Sequence, residues 1–317
     1  MPLYWDKIFN IAFSISTSAI TSPILISLPS FMYNETISPP QSLLLGHISS
    51  GIFNSACTNY KLIMENKNIV KLRVLLKEYP NDPYLNVAMD EALLLNSKDV
   101  PTLRIWRNDK SVILGILSTV NDEVNLEMIK KYGVKLVRRI SGGGSVFHDM
   151  GNINYTFIKN GQGGIDYLYG YLLKGTISAI ESLINDRVEV YNETDIAFKG
   201  YKISGNAGYI NEDRYLLHGT LLVSSNLDIL HKVLIIPPKN YIKKDNINMI
   251  KYKVSNLLNL VNGNISYDEV VEVFIRGFSS LLHCDDYFFD DISDGELKHA
   301  MRLANEKYSK KEFIYKR

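Results

Sequence analysis

Apolar residues along this chain recur at two periods. Over 71–78 apolar and polar positions alternate, which predicts a strand. Asp82 followed by Pro83 reads as a helix N-cap with proline at the first helical position, and Leu85, Ala88, Met89, Ala92 and Leu93 then fall at helical spacing. Residues 103–107 and 112–115 read as strands joined by 108–110. Residues 124–132 read as a helix closed by Gly133. Short strands are predicted over 134–139 and 152–158. Tyr169, Leu172, Leu173, Ile177, Ile180 and Ile184 stripe a long helix, and a meander follows over 188–191, 195–198, 202–204 and 215–223. Ser266 with Glu269, and Ser293 with Glu296, are capping boxes that open two more helices. No internal repeat appears. The strands are often consecutive, so the expected class is α/β of the α+β kind, a central mixed and largely antiparallel sheet flanked by helices, not a regular βαβ array.

The polar side of this pattern breaks sharply near the start. Residues 1–63 carry only four charged residues, Asp6, Lys7, Glu35 and Lys61, and include Pro2, Pro23, Pro29, Pro39 and Pro40. A span across a membrane needs about 20 apolar residues, but this stretch is rich in Ser and Thr and interrupted by proline. It reads as a doubtful extension with the true start at Met64; a weakly packed extension and a targeting segment are the alternatives. The folded domain is then expected over 64–317. Over the whole chain the composition is ordinary, with 35 Lys plus Arg against 34 Asp plus Glu, so no basic field points to nucleic acid. Two cysteines, Cys57 and Cys284, make neither a disulfide framework nor a thiolate zinc site, and a reducing, cytoplasmic setting without membrane attachment is expected.

Candidate chemistry concentrates in three segments. Arg138-Arg139-Ile140-Ser141-Gly142-Gly143-Gly144-Ser145-Val146-Phe147-His148-Asp149 places three glycines after a strand. Such a backbone approaches a ligand closely and can form an anion-binding nest, with two arginines available to offset phosphate or carboxylate charge. It is neither a Walker A loop nor a dinucleotide fingerprint. Tyr201-Lys202-Ile203-Ser204-Gly205-Asn206-Ala207 offers a strand lysine beside small residues, and Leu217-His218-Gly219-Thr220 offers a histidine. Taken singly, the lysine reads as solvated and the histidine as a satisfied core residue, while a glycine-rich hairpin is the lesser alternative for the glycine run.

Taken in order, these segments resemble the lipoate–protein ligase A family, a part of the biotin/lipoate protein ligase superfamily. The resemblance extends to DPYLNVAMDEALL, PTLRIWRND, GNINYTF and YKVSNL, and covers about residues 71–315. It implies a biotin/lipoyl protein ligase-like, class II synthetase-like catalytic domain and a reaction in which lipoate and ATP form lipoyl-AMP before the lipoyl group moves to an acceptor lysine. By that resemblance Lys202 is catalytic, contacting both the phosphate and the lipoyl carbonyl. Arg139, Gly144, Ser145, Val146 and Phe147 hold the nucleotide. Ser141, Gly142, Gly143, His148, Ser204, Gly205, His218 and Gly219 line the lipoate tunnel, and Asp195 meets Mg2+.

The sequence departs from the family at Thr194, where asparagine is usual, and at Lys251 and Lys253, where the family has arginines. Lys239, Lys243 and Lys244 add to a basic loop read either as a solvated face or as a lid or acceptor-docking patch. The implied partners are lipoyl-acceptor domains, from a 2-oxoacid dehydrogenase acyltransferase subunit or a glycine-cleavage carrier protein, and a separate small accessory subunit. The alternatives are a cysteine-dependent octanoyl or lipoyl transferase and a non-catalytic binder of nucleotide or acyl-adenylate.

Overall fold

A computed structural model describes residues 70–97, 99–235, 253–284 and 286–316. The readings of residues 1–63 and of Lys239, Lys243, Lys244 and Lys251 lie outside the described residues. Those described belong to one unit, Ile69–Arg317. None of their helices is long and apolar enough to cross a membrane.

The elements run β1 (Lys71–Leu75), α1 (Pro83–Asn96), β2 (Thr102–Trp106), β3 (Ser111–Leu114), α2 (Leu126–Tyr132), β4 (Lys135–Arg138), β5 (Val146–His148) and β6 (Asn152–Asn160). A π-wound segment, Asp166–Leu172, then leads into α3 (Leu173–Ile184), followed by β7 (Glu189–Tyr191), β8 (Asp195–Phe198), β9 (Tyr201–Asn211), β10 (Arg214–Leu222) and α4 (Leu227–Val233). Next come β11 (Lys253–Val254), α5 (Tyr267–Leu282), β12 (Asp286–Asp290) and α6 (Asp294–Leu303), and a second π-wound segment, Ala304–Tyr308, and a short helix, Lys311–Ile314, follow.

Most of the expected starts and stops have a visible cause. The Asp82 side chain accepts from the Leu85 N–H, and both capping boxes are formed, at Ser266–Glu269 and Ser293–Glu296. Each such cap is worth about 1 kcal/mol. Gly133 closes α2 at φ 64°, in the left-handed region. That helix begins later than its apolar pattern suggests: Asn125 caps it through Met128 N–H, and Val124 is extended and bridges to Leu234. The strand expected over 71–78 ends at Leu75. Beyond it the Glu78 carboxylate accepts from the Arg107 N–H at 2.7 Å instead of extending the ladder.

The large sheet has the order β12-β1-β2-β6-β10-β9-β8-β7, with β11 pairing β9. From β2 to β7 every neighbouring pair is antiparallel; β1 is parallel to both its neighbours. One face packs on α3 and α5, where Tyr155, Phe157, Phe274 and Phe278 are buried. The other carries α1, α6 and a second sheet of order β4-β3-β5. The strands expected around 103–107 and 112–115 are therefore not partners: one lies in each sheet. Between the two sheets, against α1, lies the cleft described next.

Candidate active site

The polar face of the large sheet is set by register. His218 on β10 stands opposite Thr156 on β6, and Thr220 opposite Asn154, so alternate residues of adjacent strands project to the same side. On β2 the same alternation puts Leu103 and Ile105 in the helix-covered core, and Arg104 and Trp106 on the other face. The glycine-rich loop, between β4 and β5, covers part of this face. Together they enclose a cleft of about 220 Å³.

Arg138 and Arg139 do not reach into this space as free cations. Arg138 is fully buried and donates to the carbonyls of Gly115 (2.6 Å), Ser118 (2.8 Å) and Ile314 (2.6 Å). Arg139 lines the cleft but lies beneath the loop. It donates to Ser141 Oγ (2.9 Å), to the carbonyls of Ile113 (3.0 Å) and Gly144 (3.0 Å), and to Gly142 O. Burial, helped by the nearby Arg138, lowers its pKa to about 10, against an opposing pull from Glu123, so it stays charged at neutral pH. The two arginines thus brace the loop from below. One loop amide is also taken: Ser145 N–H and Oγ–H both donate to Glu123 Oε2, at 2.6 and 2.7 Å.

Close backbone approach explains the glycines next to the loop and on the sheet. A Cβ on Gly115 would lie 1.9 Å from the Gly143 carbonyl oxygen, and one on Gly219 would lie 2.0 Å from Asn206 Oδ1 and 2.6 Å from the Tyr155 ring. Gly205 leaves room for the lysine three residues earlier on β9, whose Cε and Nζ would sit 3.2 Å from a Cβ there. That lysine, Lys202, donates from Nζ to Asp195 Oδ1 at 2.5 Å. Their side chains are 30% and 18% exposed, so the pair is partly wet and its charges remain accessible to a ligand. Asn206, whose amide donates to Thr194 O at 2.8 Å, accepts from Tyr155 Oη–H at 2.8 Å.

A directional chain of polar groups runs beneath the cleft. Asp90 accepts from Arg104 (3.1 Å) and from Thr156 Oγ1 (2.8 Å) through Oδ1, while Oδ2 lies 3.0 Å from His218 Nδ1. His218 Nε2 lies 2.6 Å from Ser141 Oγ. Because Arg139 donates to that same oxygen, the hydroxyl proton is free to point at Nε2, and the imidazole proton sits on Nδ1 toward Asp90. The three residues have the contact pattern of a Ser-His-Asp nucleophile system. Ser141, however, is 1% exposed and does not line the cleft. The chain therefore holds the glycine loop on the sheet and leaves the cleft free of a serine nucleophile.

Of the residues singled out in the sequence, Arg139, Gly143, Gly144, Ser145, Val146 and His148 line the cleft from the loop side. Asp195, Lys202, Gly205, His218 and Gly219 line it from the sheet. Ser141, Phe147 and Ser204 lie behind this surface: Phe147, on β5, is buried, and Ser204 Oγ is within reach of Asn206; Gly142 is partly exposed and does not line the cleft. Thr194 also lines the cleft. Asp90, Trp106, Asn154 and Glu123 were not singled out. No local signal marked Asp90: at helical spacing it falls away from the Leu85–Leu93 stripe, and only the burial of the helix on that side too makes it part of the interior.

A family profile described as the lipoyl protein ligase A/B catalytic domain matches residues 82–279. The chain is 34% identical over 254 residues to a Thermoplasma acidophilum protein named lipoate-protein ligase A subunit 1, covering 76% of this chain and 95% of that one. A solved bipartite lipoate protein ligase from the same organism, studied with its E2 lipoyl domain, aligns at TM-score 0.68 and 31% identity over 78% of this chain and 96% of that one. A lipoate-protein ligase A bound with ATP aligns at TM-score 0.69 and 32% identity, over 77% and 98%. With its glycine loop, sheet lysine and cleft in the order the profile spans, the chain belongs to the lipoyl protein ligase A/B catalytic-domain family.

Proposed function

We propose that this protein is an ATP-dependent lipoate–protein ligase, and that Lys202 is its central catalytic residue. The observation that carries the reading is the Lys202–Asp195 pair, partly exposed and lining the same cleft as a glycine loop braced from below. A carboxylate must approach an α-phosphate; both are anions, and a cation placed between them offsets their repulsion. In the first step a carboxylate oxygen of lipoate bonds to the α-phosphorus and pyrophosphate leaves. In the second, the amine of an acceptor lysine attacks the acyl carbon, AMP leaves, and an amide forms.

The chain's own part is to bind and orient. Lys202 exchanges its contact with Asp195 for the phosphate and the acyl oxygen. The backbone of Gly143 to Val146 lies along the nucleotide, and Glu123 yields the Ser145 N–H. Among the described residues no group of three metal-binding side chains occurs. The donors therefore fit a Mg2+ that arrives on the triphosphate, with Asp195 as its one protein carboxylate. Such an ion would offset phosphate charge.

The likeness to the bipartite Thermoplasma ligase supports two further parts of the reading: an acceptor lipoyl domain as substrate, and a small separate subunit as partner. Dependence on ATP fits a cytoplasmic enzyme. The cysteine-transferase alternative needs a thiol in the cleft. Cys284, the cysteine among the described residues, is buried in the core beneath α5 and is absent from the cleft lining. Incubating the protein with lipoate, ATP and a lipoyl domain tests the reading by mass spectrometry. A gain of one lipoyl group that requires ATP is expected. Modification that proceeds from a lipoyl thioester without ATP would overturn it.

A further inference from the structure

The large sheet ends at β12, and among the described residues β1 is its one strand partner. Its outer edge therefore carries backbone N–H and C=O groups that no strand of those residues meets. The five residues read Asp286-Tyr287-Phe288-Phe289-Asp290. An edge is usually guarded by charge, yet here three aromatic side chains stand in the open, at 46%, 39% and 59% exposure in chain order. Register divides them. Tyr287 and Phe289 lie beside Leu72 and Val74, on the face covered by α5, and their rings meet edge-on with centroids 5.7 Å apart. Phe288 lies beside Arg73, on the other face. Next to Tyr287 a hollow of about 430 Å³ opens along α5, lined by Ile275, Arg276, Ser279 and His283.

The strand matches itself when reversed. Two copies laid antiparallel about Phe288 put Phe288 opposite its twin, Tyr287 opposite Phe289, and Asp286 opposite Asp290. Opposed positions then come from the same face of each sheet, so each face continues into its like. Tyr287 and Phe289 of both copies form a cluster of four rings beside the hollow along α5, and the two Phe288 rings meet on the other face. Bare aspartates would repel one another at the ends. Each already has a cation of its own chain: Lys71 Nζ lies 2.6 Å from Asp286 Oδ2, and Arg73 Nε lies 2.7 Å from Asp290 Oδ2. The ends therefore meet as two neutral ion pairs.

We propose that β12 is a dimerisation edge, through which two copies of this chain join their large sheets about a two-fold axis at Phe288. A self-complementary strand suits a closed two-fold pair, because the same patch serves on both sides. The occupant is a second copy because ring meets ring, and ion pair meets ion pair, at every position of the strand. The cleft stays open. Lys202 lies on β9, five strand spacings or about 24 Å from β12, so pairing at this edge leaves both sites free.

Sedimentation velocity of the full chain reads the mass in solution. A dimer is expected, and Phe289→Lys should weaken it at least about tenfold while circular dichroism stays that of the parent. Phe288→Cys reads the register. Opposed Cα atoms of an antiparallel pair stand about 4.5–5.5 Å apart, within the span of a disulfide. Mild oxidation should join Phe288→Cys into a covalent dimer far beyond the parent and beyond Phe289→Cys, whose thiols stand two residues out of register. A chain that stays monomeric up to about 0.1 mM overturns the proposal, including one whose β12 serves only to bind a different protein. A dimer that Phe289→Lys leaves intact, or that Phe288→Cys does not crosslink, overturns it as well.

Discussion

Asp90 is a single carboxylate, 3% exposed, that answers Arg104, Thr156 and His218 together. Arg104 is fully buried; burial lowers its pKa, and Asp90 is the chief opposing influence. Removing Asp90 leaves that guanidinium without its counter-charge. Asp90→Ala should therefore cost about 3–5 kcal/mol in urea unfolding. Arg104→Met should cost less, because Asp90 keeps His218 and Thr156. If Asp90→Ala unfolds within about 1 kcal/mol of the parent, the polar chain carries no such weight. Residues of this kind were poorly legible in the sequence. The helical pattern around Leu85 and Ala88 was plain, but the partners of Asp90 come from three strands distant along the chain. Arg138 and Arg139 show the same limit. Their charge next to a glycine loop suggested anion contacts, while the fold puts their donors on backbone carbonyls, a use that leaves no trace in residue type.

At the scale of elements, two helix and loop contacts depend on missing side chains. Gly277 on α5 packs against Gly175 on α3, where an added Cβ would lie 2.4 Å from the Gly175 carbonyl oxygen. Gly277→Ala must push the helices apart, and a loss of about 1–3 kcal/mol on thermal or urea unfolding is expected, with activity retained below the new midpoint. An unchanged stability would mean that the helices already stand further apart. Gly115→Ala acts on the site instead: its Cβ displaces the Gly143 carbonyl and so the loop. It should lower kcat/KM for adenylate formation by about 10²-fold, as small misplacements of a positioned group do, with fold retained by circular dichroism. Normal kcat/KM would detach the loop from catalysis. Caps and periodicity made these elements readable, since Ser266, Ser293, Asp82 and Gly133 act within one turn of where they stand. Pairing was less readable. The runs over 102–106 and 111–114 look alike, yet they enter different sheets, because alternation specifies a face and not a partner.

Across the whole molecule, the arrangement is a braced loop above a sheet, with Lys202 and Asp195 lining the cleft from the sheet. The likeness to a bipartite ligase gives a prediction at this level. Transfer to an acceptor domain should rise at least about tenfold when the matching small subunit is added, as expected if docking orders and dries the site. Full transfer by the chain alone would exclude that role. Lipoate-dependent ATP–pyrophosphate exchange reads the first step alone, with Lys202→Ala and Cys284→Ser as paired variants. Exchange that needs lipoate, falls by about 10²–10³-fold in Lys202→Ala and persists in Cys284→Ser is the predicted result. Exchange at near-parent rates in Lys202→Ala would mean that this lysine does not carry adenylation.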